Sequence, residues 1–168
     1  MEYSERIYRK HYRQDDLAHF QVMVAETDLN IGVSKEQYSE ELIVCTKNLI
    51  KDVRRPLEDY IKKDPRFLMT LEPCVLLPDA PKIAKNMADA ARIANVGPMA
   101  SVAGAIAEAV GKVLSKRCPE VIVENGGDIY MKSTTIRRVG IFAGESVLSN
   151  RVALEIQPEE TFRWYLVN

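Results

Sequence analysis

Glu124, Asn125, Gly126, Gly127 and Asp128 stand in a row inside the stretch EVIVENGGDIYMKS, residues 120–133. Two carboxylates and an amide bracket a pair of glycines. The carboxylates can hold a metal ion or accept from a hydroxyl, and the amide can donate and accept. Paired glycines expose backbone N–H groups with no Cβ in the way, so a ligand oxygen or ring can come close. The flanks, Val121 to Val123 and Ile129 to Met131, look like β-strand, and Gly and Asp weaken a strand interior. The same residues admit a second reading. Asn-Gly between strand-like segments signals a hairpin, because a type I′ turn needs positive φ at both centre positions.

A second candidate lies upstream at Gly97, Pro98 and Met99, where a helix starts after a glycine. Helix N-termini attract anions through unpaired N–H groups and the macrodipole, so these residues are a candidate phosphate contact. The plain alternative is an interhelical turn with proline at the first helical position. This helix leads straight into the strand carrying Asn125 to Asp128. Its N-terminus is therefore expected at the far end of that strand, near the glycines.

The remaining reactive side chains are scattered. Cys45, Cys74 and Cys118 form no CxxC, so neither a disulfide framework nor a zinc site is indicated. Cys45 falls on the apolar face of a helix and is expected in the core. Cys74 sits between prolines, and Cys118 follows Ser-Lys-Arg, a basic setting that can favour thiolate; for both, an inert loop or surface thiol is the expected reading. His11 and His19 flank a turn without a third metal ligand at matching spacing. Glu26 and Asp28, two apart, are expected on one strand face as surface carboxylates or metal ligands.

The elements that must position these groups follow from periodicity. Residues 5–13 and 18–27 read as strands, the second with Phe20, Val22 and Val24 on one face, and DLNIGVS reads as a short third strand. The period then becomes helical. Ser34 and Gln37 fit a capping box, Leu42, Val44, Cys45, Leu49, Val53, Leu57 and Ile61 follow, and Pro56 is expected to end or kink the helix near Arg55, with a second piece running to Lys63. A proline-containing connector holds one short extended piece, CVLL. Ile83, Met87, Ala90, Ala91 and Ala94 mark a second helix, stopped by Asn95 to Gly97. A third begins at Pro98, with Val102, Ile106, Val110, Val113 and Leu114 on one face. Beside that face, Ala100, Gly104, Ala107 and Gly111 form a small-residue stripe that lets another backbone approach. Three strand-like segments end the order, EVIVENGGDIYMK, RRVGIFAG and RVALEIQ. The pattern predicts an α+β domain, a mainly antiparallel sheet with helices packed on one face.

Composition bounds the function. The 168 residues carry 24 acidic and 23 basic side chains, so no charge excess attracts nucleic acid or an anionic membrane. The charged start, MEYSERIYRKHYRQDD, is no secretory h-region, and a cytoplasmic, reducing setting is expected. The helix after Pro98 holds Glu108 and Lys112 and is too short to span a membrane.

The run GPMASVAGAIAEAVGKVLSKRCPEVIVENGGDIYMKSTTIRRVGIFAG closely resembles an uncharacterised prokaryotic protein family related to the ApbE-type flavin transferases. The resemblance reaches from Tyr8-Arg9 through ETDL at 26–29 to about Pro158. It implies a single ApbE-like, T-fold-like domain over 1–168, with residues 159–168 an atypical tail. Flavin transferases move FMN from FAD to a protein threonine using Mg2+, and carry an Asn-x-Gly-Gly-Asp stretch near the nucleotide; Gly126, Gly127 and Asp128 match its end. Their preceding helix carries Lys-Gly-x-x-x-Asp, and here Gly104 matches the glycine, Glu108 stands for the aspartate and Ala103 replaces the lysine. Relatives continue into Thr-Ser-Gly and Ala-Asp-Ala…Thr segments that hold metal in true transferases, whereas TFRWYLVN differs and ends at Asn168. A C-terminal truncation or a frameshift is the expected reason.

With that resemblance, the residues predict binding of a small molecule, a flavin nucleotide or another phosphate-containing ligand. The expected ligand-binding set is Glu124 to Asp128, Gly97 to Met99, Gly104 and Glu108; it contains no identifiable catalytic or metal-ligating residue. FAD or FMN with Mg2+ is the cofactor set the resemblance implies. The alternatives are an Mg-dependent FAD:protein FMN transferase-type enzyme, a sulfur-handling (sulfide assimilation) accessory protein using a cysteine, and a structural or oligomerisation module. A homo-oligomer is expected, with neither nucleic acid nor membrane as partner.

Overall fold

The computed structural model describes residues 15–141, 144, 146, 147, 149, 151–161, 165 and 166. The strand expected over 5–13, with His11, lies outside them. Strands β1 (Leu17–Val24) and β2 (Thr27–Ser34) form an antiparallel hairpin, and β3 (Val121–Asn125) and β4 (Asp128–Lys132) form a second. β2 pairs antiparallel with β3, giving the order β1-β2-β3-β4, and the two-residue β7 (Tyr165–Leu166) runs beside β4. β5 (Arg137–Gly140) and β6 (Ala153–Ile156) make a separate two-stranded sheet. The class is α+β, as the order of elements predicts.

Strand alternation places the core. Leu29, Ile31 and Val33 of β2 lie opposite Asn125, Val123 and Val121 of β3, and all five apolar side chains are fully buried. Each contributes about 1.5–3 kcal/mol of hydrophobic stabilisation. They pack against Ile106, Val110 and Leu114 of α4 (Val102–Leu114) and Ile50 of α1 (Glu40–Lys63). A second cluster joins Leu57 and Tyr60 of α1, Phe67 of the short α2 (Arg66–Met69), and Ala84 and Met87 of α3 (Lys82–Ala94).

Helix ends follow local chemistry, with corrections. Asn95 adopts the left-handed conformation and ends α3, its N–H bonding the carbonyls of Ala91 and Arg92. Pro98 opens a 3-10 turn, Pro98–Ser101, that runs into α4. The capping box expected at Ser34 and Gln37 does not form. Ser34 precedes only the 3-10 turn Lys35–Gln37 and makes no side-chain cap bond, while Ser39 accepts from the Leu42 N–H and caps α1. α1 reaches Lys63 as expected, but as one helix through Pro56 rather than two pieces. An interior proline costs about 3 kcal/mol, but burial of Leu57 and Tyr60 beyond it holds the last turns in place. CVLL forms no strand; the connector runs irregularly between α2 and α3. Cys45 is exposed rather than in the core. The buried positions of α1 are Thr46, Ile50, Leu57 and Tyr60, and one residue on a helix rotates a side chain by about 100°, which turns Cys45 to solvent.

Among the described residues no single helix is long and apolar enough to cross a membrane.

Candidate functional site

The Gly-Gly pair is the two-residue turn of the β3–β4 hairpin. Asn125 pairs with Asp128, and Gly126 and Gly127 take φ of 64° and 104°. Positive φ at both centre positions is what glycine adopts without steric cost. Gly126 is exposed and Gly127 half-buried, whereas Glu124, Asn125 and Asp128 are buried. The hairpin is therefore real, yet its polar side chains are buried.

The pleat then sorts those side chains. Asn125 shares the face of Leu29 and Ile31, and Asp128, its partner across the hairpin, lies on the same face, toward α4. Asn125 Nδ2 donates to the Ala103 carbonyl at 3.0 Å, and the Gly104 N–H donates to the Asp128 carboxylate. Both contacts fall in the first turn of α4, so the helix N-terminus does meet the glycine end of the strand. Glu124 belongs to the opposite face, and its Oε1 accepts from the Gly127 N–H at 2.9 Å, which braces the turn.

Asp128 is electrostatically unusual. Burial pushes its carboxyl above the ordinary aspartate value, the Gly104 N–H opposes that rise, and the Glu124 charge adds to it. Such a group, set between an exposed turn and a helix terminus, can carry a proton at a pH where most carboxylates cannot.

The other candidate residues lie elsewhere. Gly97 and Pro98 are buried, and a Cβ on Gly97 would stand 2.0 Å from the Thr70 carbonyl oxygen. Close packing on the connector accounts for that glycine. Met99 packs on the cluster around Phe67 and Met87. Glu108 ion-pairs with Lys112 and faces a groove of about 390 Å3 between α1, α3 and α4. No hydrogen bond or ion pair found among the described residues joins these four residues to the hairpin.

Other reactive groups also moved from expectation. Glu26 and Asp28 do not share a strand face. Glu26 stands in the exposed β1–β2 turn and pairs with Arg54 at 2.6 Å, whereas Asp28 is buried in β2 and accepts from Gln21 Nε2 at 2.7 Å. Cys118 is buried, and burial outweighs Arg117 and Lys132 to push its thiol up, so its basic surroundings do not make it a thiolate. Cys74 is half-buried in the connector. Among the described residues, no group of three or more His, Cys, Asp or Glu side chains is arranged to hold a metal ion.

One polar cluster had no signal in the sequence. Arg137, only 3% exposed, donates to Glu120 Oε2 at 2.8 Å, to Asp16 Oδ1 at 2.8 Å and to Ser133 Oγ at 2.9 Å. Glu120 also accepts from Ser133 Oγ, the Thr134 N–H and the Thr134 hydroxyl. Burial raises its pKa, but these donors outweigh burial and hold the carboxyl below the usual range. The cluster fastens β5 to the start of β3; spacings of 17 and 121 residues carry no local pattern.

A family model described as "AbpE bacteria" matches residues 9–163. A UPF0280 protein of Methanococcus aeolicus is 39% identical over 150 residues, covering 89% of this chain and 59% of that protein. A UPF0280 protein of Methanocaldococcus jannaschii is 40% identical over 142 residues, covering 83% of this chain and 54% of its own length. One from Methanothrix thermoacetophila is 46% identical over 122 residues, covering 71% of this chain and 51% of its own length. The chain thus spans between half and three fifths of the length of these relatives. A match running through both hairpins and every helix places the chain in the family described as AbpE bacteria.

Proposed function

We propose that the chain binds a small molecule at the β3–β4 hairpin, and that the ligand is a flavin nucleotide or a similar phosphate-containing compound. The observation that carries this reading is Asp128, a desolvated carboxyl held between the first turn of α4 and an exposed turn made of two glycines. An exposed Gly126 leaves room for a flat ring to lie against backbone. Asp128 and Glu124 offer acceptors to ligand hydroxyls, and a protonated Asp128 could donate to an anionic oxygen. The resemblance to ApbE-type flavin transferases supplies the ligand class.

The reading stops at binding rather than transfer. Ala103 stands where the transferases carry lysine, its carbonyl is bound by Asn125, and Glu108 is paired with Lys112. Mg2+ is usually held by one or two carboxylates together with ligand phosphates, and no step is assigned to a metal here. Binding is the function proposed.

Titration of the 168-residue chain into FMN and into FAD, read by flavin fluorescence and by calorimetry, tests it. Saturable binding that Asp128→Ala weakens at least tenfold, while Asp89→Ala on the exposed face of α3 does not, is the expected result. Absence of binding of both flavins at millimolar concentration, with the chain folded by circular dichroism, defeats the flavin reading.

A further inference from the structure

The connector between α1 and α3 displays large apolar side chains in water. Leu68, Met69, Leu71 and Val75 are 47%, 74%, 87% and 89% exposed. Met69 and Val75 line a depression of about 640 Å3, together with Cys74, Leu76 and Leu77. Single exposed hydrophobes are ordinary on a protein surface, but four within eight residues around one concavity mark an interaction surface.

The backbone presenting them is held rigidly. The Thr70 hydroxyl bonds both the carbonyl and the N–H of Glu72, which turns Leu71 outward. The Tyr60 hydroxyl accepts from the Leu77 N–H at 3.0 Å. Gly97 packs flush on the Thr70 carbonyl, where a Cβ would stand only 2.0 Å away. A surface ordered before contact loses little further entropy on binding.

We infer that this connector is the contact surface for a second copy of the chain. The charges around it select that occupant. Asp64 and Arg66 line the depression as a salt bridge of 2.9 Å, Lys63 and Asp79 pair at 2.8 Å, and Glu72 is exposed. Opposite signs alternate over a few residues, so the patch has no single-signed field for nucleic acid, an anionic membrane or an acidic or basic protein. A twofold-related copy brings the same alternation reversed. An axis through the depression can set Arg66 of one copy against Glu72 of the other while Leu71 and Val75 meet their equivalents. Apolar centre and charged rim are the anatomy of a protein–protein contact.

The test is sedimentation equilibrium of the 168-residue chain from about 1 to 200 μM, a span that covers ordinary micromolar self-association. A concentration-dependent dimer is expected. Leu71→Asp and Val75→Asp, at positions too exposed to threaten folding, should raise its dissociation constant at least tenfold. Val44→Asp, at an exposed position about 30 Å away along α1 from Asp64, should not. Native thiols give a second reading: maleimide labelling of Cys74 should slow as the chain is concentrated, while labelling of exposed Cys45 stays constant. A monomer throughout the range overturns the inference. So does a dimer that both connector variants leave intact, or one that Val44→Asp weakens equally.

Discussion

Asn125 Nδ2 lies 3.0 Å from the carbonyl oxygen of Ala103, and this bond fastens the β3–β4 hairpin to the first turn of α4. The donor is buried, and Asn125 lies directly across the hairpin from Asp128. Asn125→Asp replaces it with an acceptor and adds charge next to Asp128. A loss of about 1–3 kcal/mol is expected, greater than for Asn125→Ala, when both are compared by urea denaturation at neutral pH.

Gly111 meets the Tyr130 ring so closely that an added Cβ would stand 2.0 Å from Cδ1. Gly111→Ala must therefore push the ring or separate α4 from β4, at an overpacking cost of about 1–3 kcal/mol. Tyr130→Ala removes the obstacle. In a double-mutant cycle the two changes together should cost clearly less than their sum, and simple additivity would show that the contact does not matter.

Gly97→Ala should be worse. The obstacle there is the Thr70 carbonyl, which cannot rotate away as a side chain can. The connector must shift, so a lower melting temperature than that of Gly111→Ala is expected. Leu71 should also gain hydrogen-exchange rate relative to the parent.

Arg137→Met leaves Glu120 buried without its cation, a change that typically costs about 3–5 kcal/mol. The cluster also sets an acid limb. Glu120 is held below its ordinary value of 4.5 by its donors despite burial, and Asp16 below 3.8 chiefly by its Arg137 hydrogen bond. Lowered carboxylates contribute stability that is complete above the unfolded-state values and lost as pH falls through the lower folded ones. Chemical denaturation from pH 6 to 2 should show this loss in the parent and a shallower slope in Glu120→Gln.

Asp128 works in the opposite direction. Its folded value is raised above 3.8, so the ionised form is disfavoured in the fold and stability falls as pH climbs from that value through the higher one. Asp128→Asn removes the penalty while keeping an acceptor for the Gly104 N–H. It should melt higher than the parent at pH 7, with the gain vanishing below about pH 3.8, and should bind flavin less well. A melting gain at pH 3 as large as at pH 7 would contradict the desolvation account.

The sequence by itself determined the elements and their order. Alternation in FQVMV and DLNIGVS, the 3.6-residue stripe from Ile106 to Leu114 and the Asn95–Pro98 break are local signals, because strand and helix periods act over neighbouring residues. Gly126 and Gly127 likewise announced a backbone of positive φ. Whether a helix runs through a proline was not local: Pro56 argued for a break near Arg55, and burial of Leu57 and Tyr60 against distant α3 kept one helix to Lys63. The pleat register decided that Glu124 and Asp128 leave opposite faces of the hairpin, and the packing of α4 decided that Asp128 loses its water. The tertiary structure alone turned Cys45 outward, buried Cys118, and brought Arg137 to Glu120 and Asp16. Those outcomes depend on which surfaces pack together, and packing joins residues whose separation along the chain has no period to read.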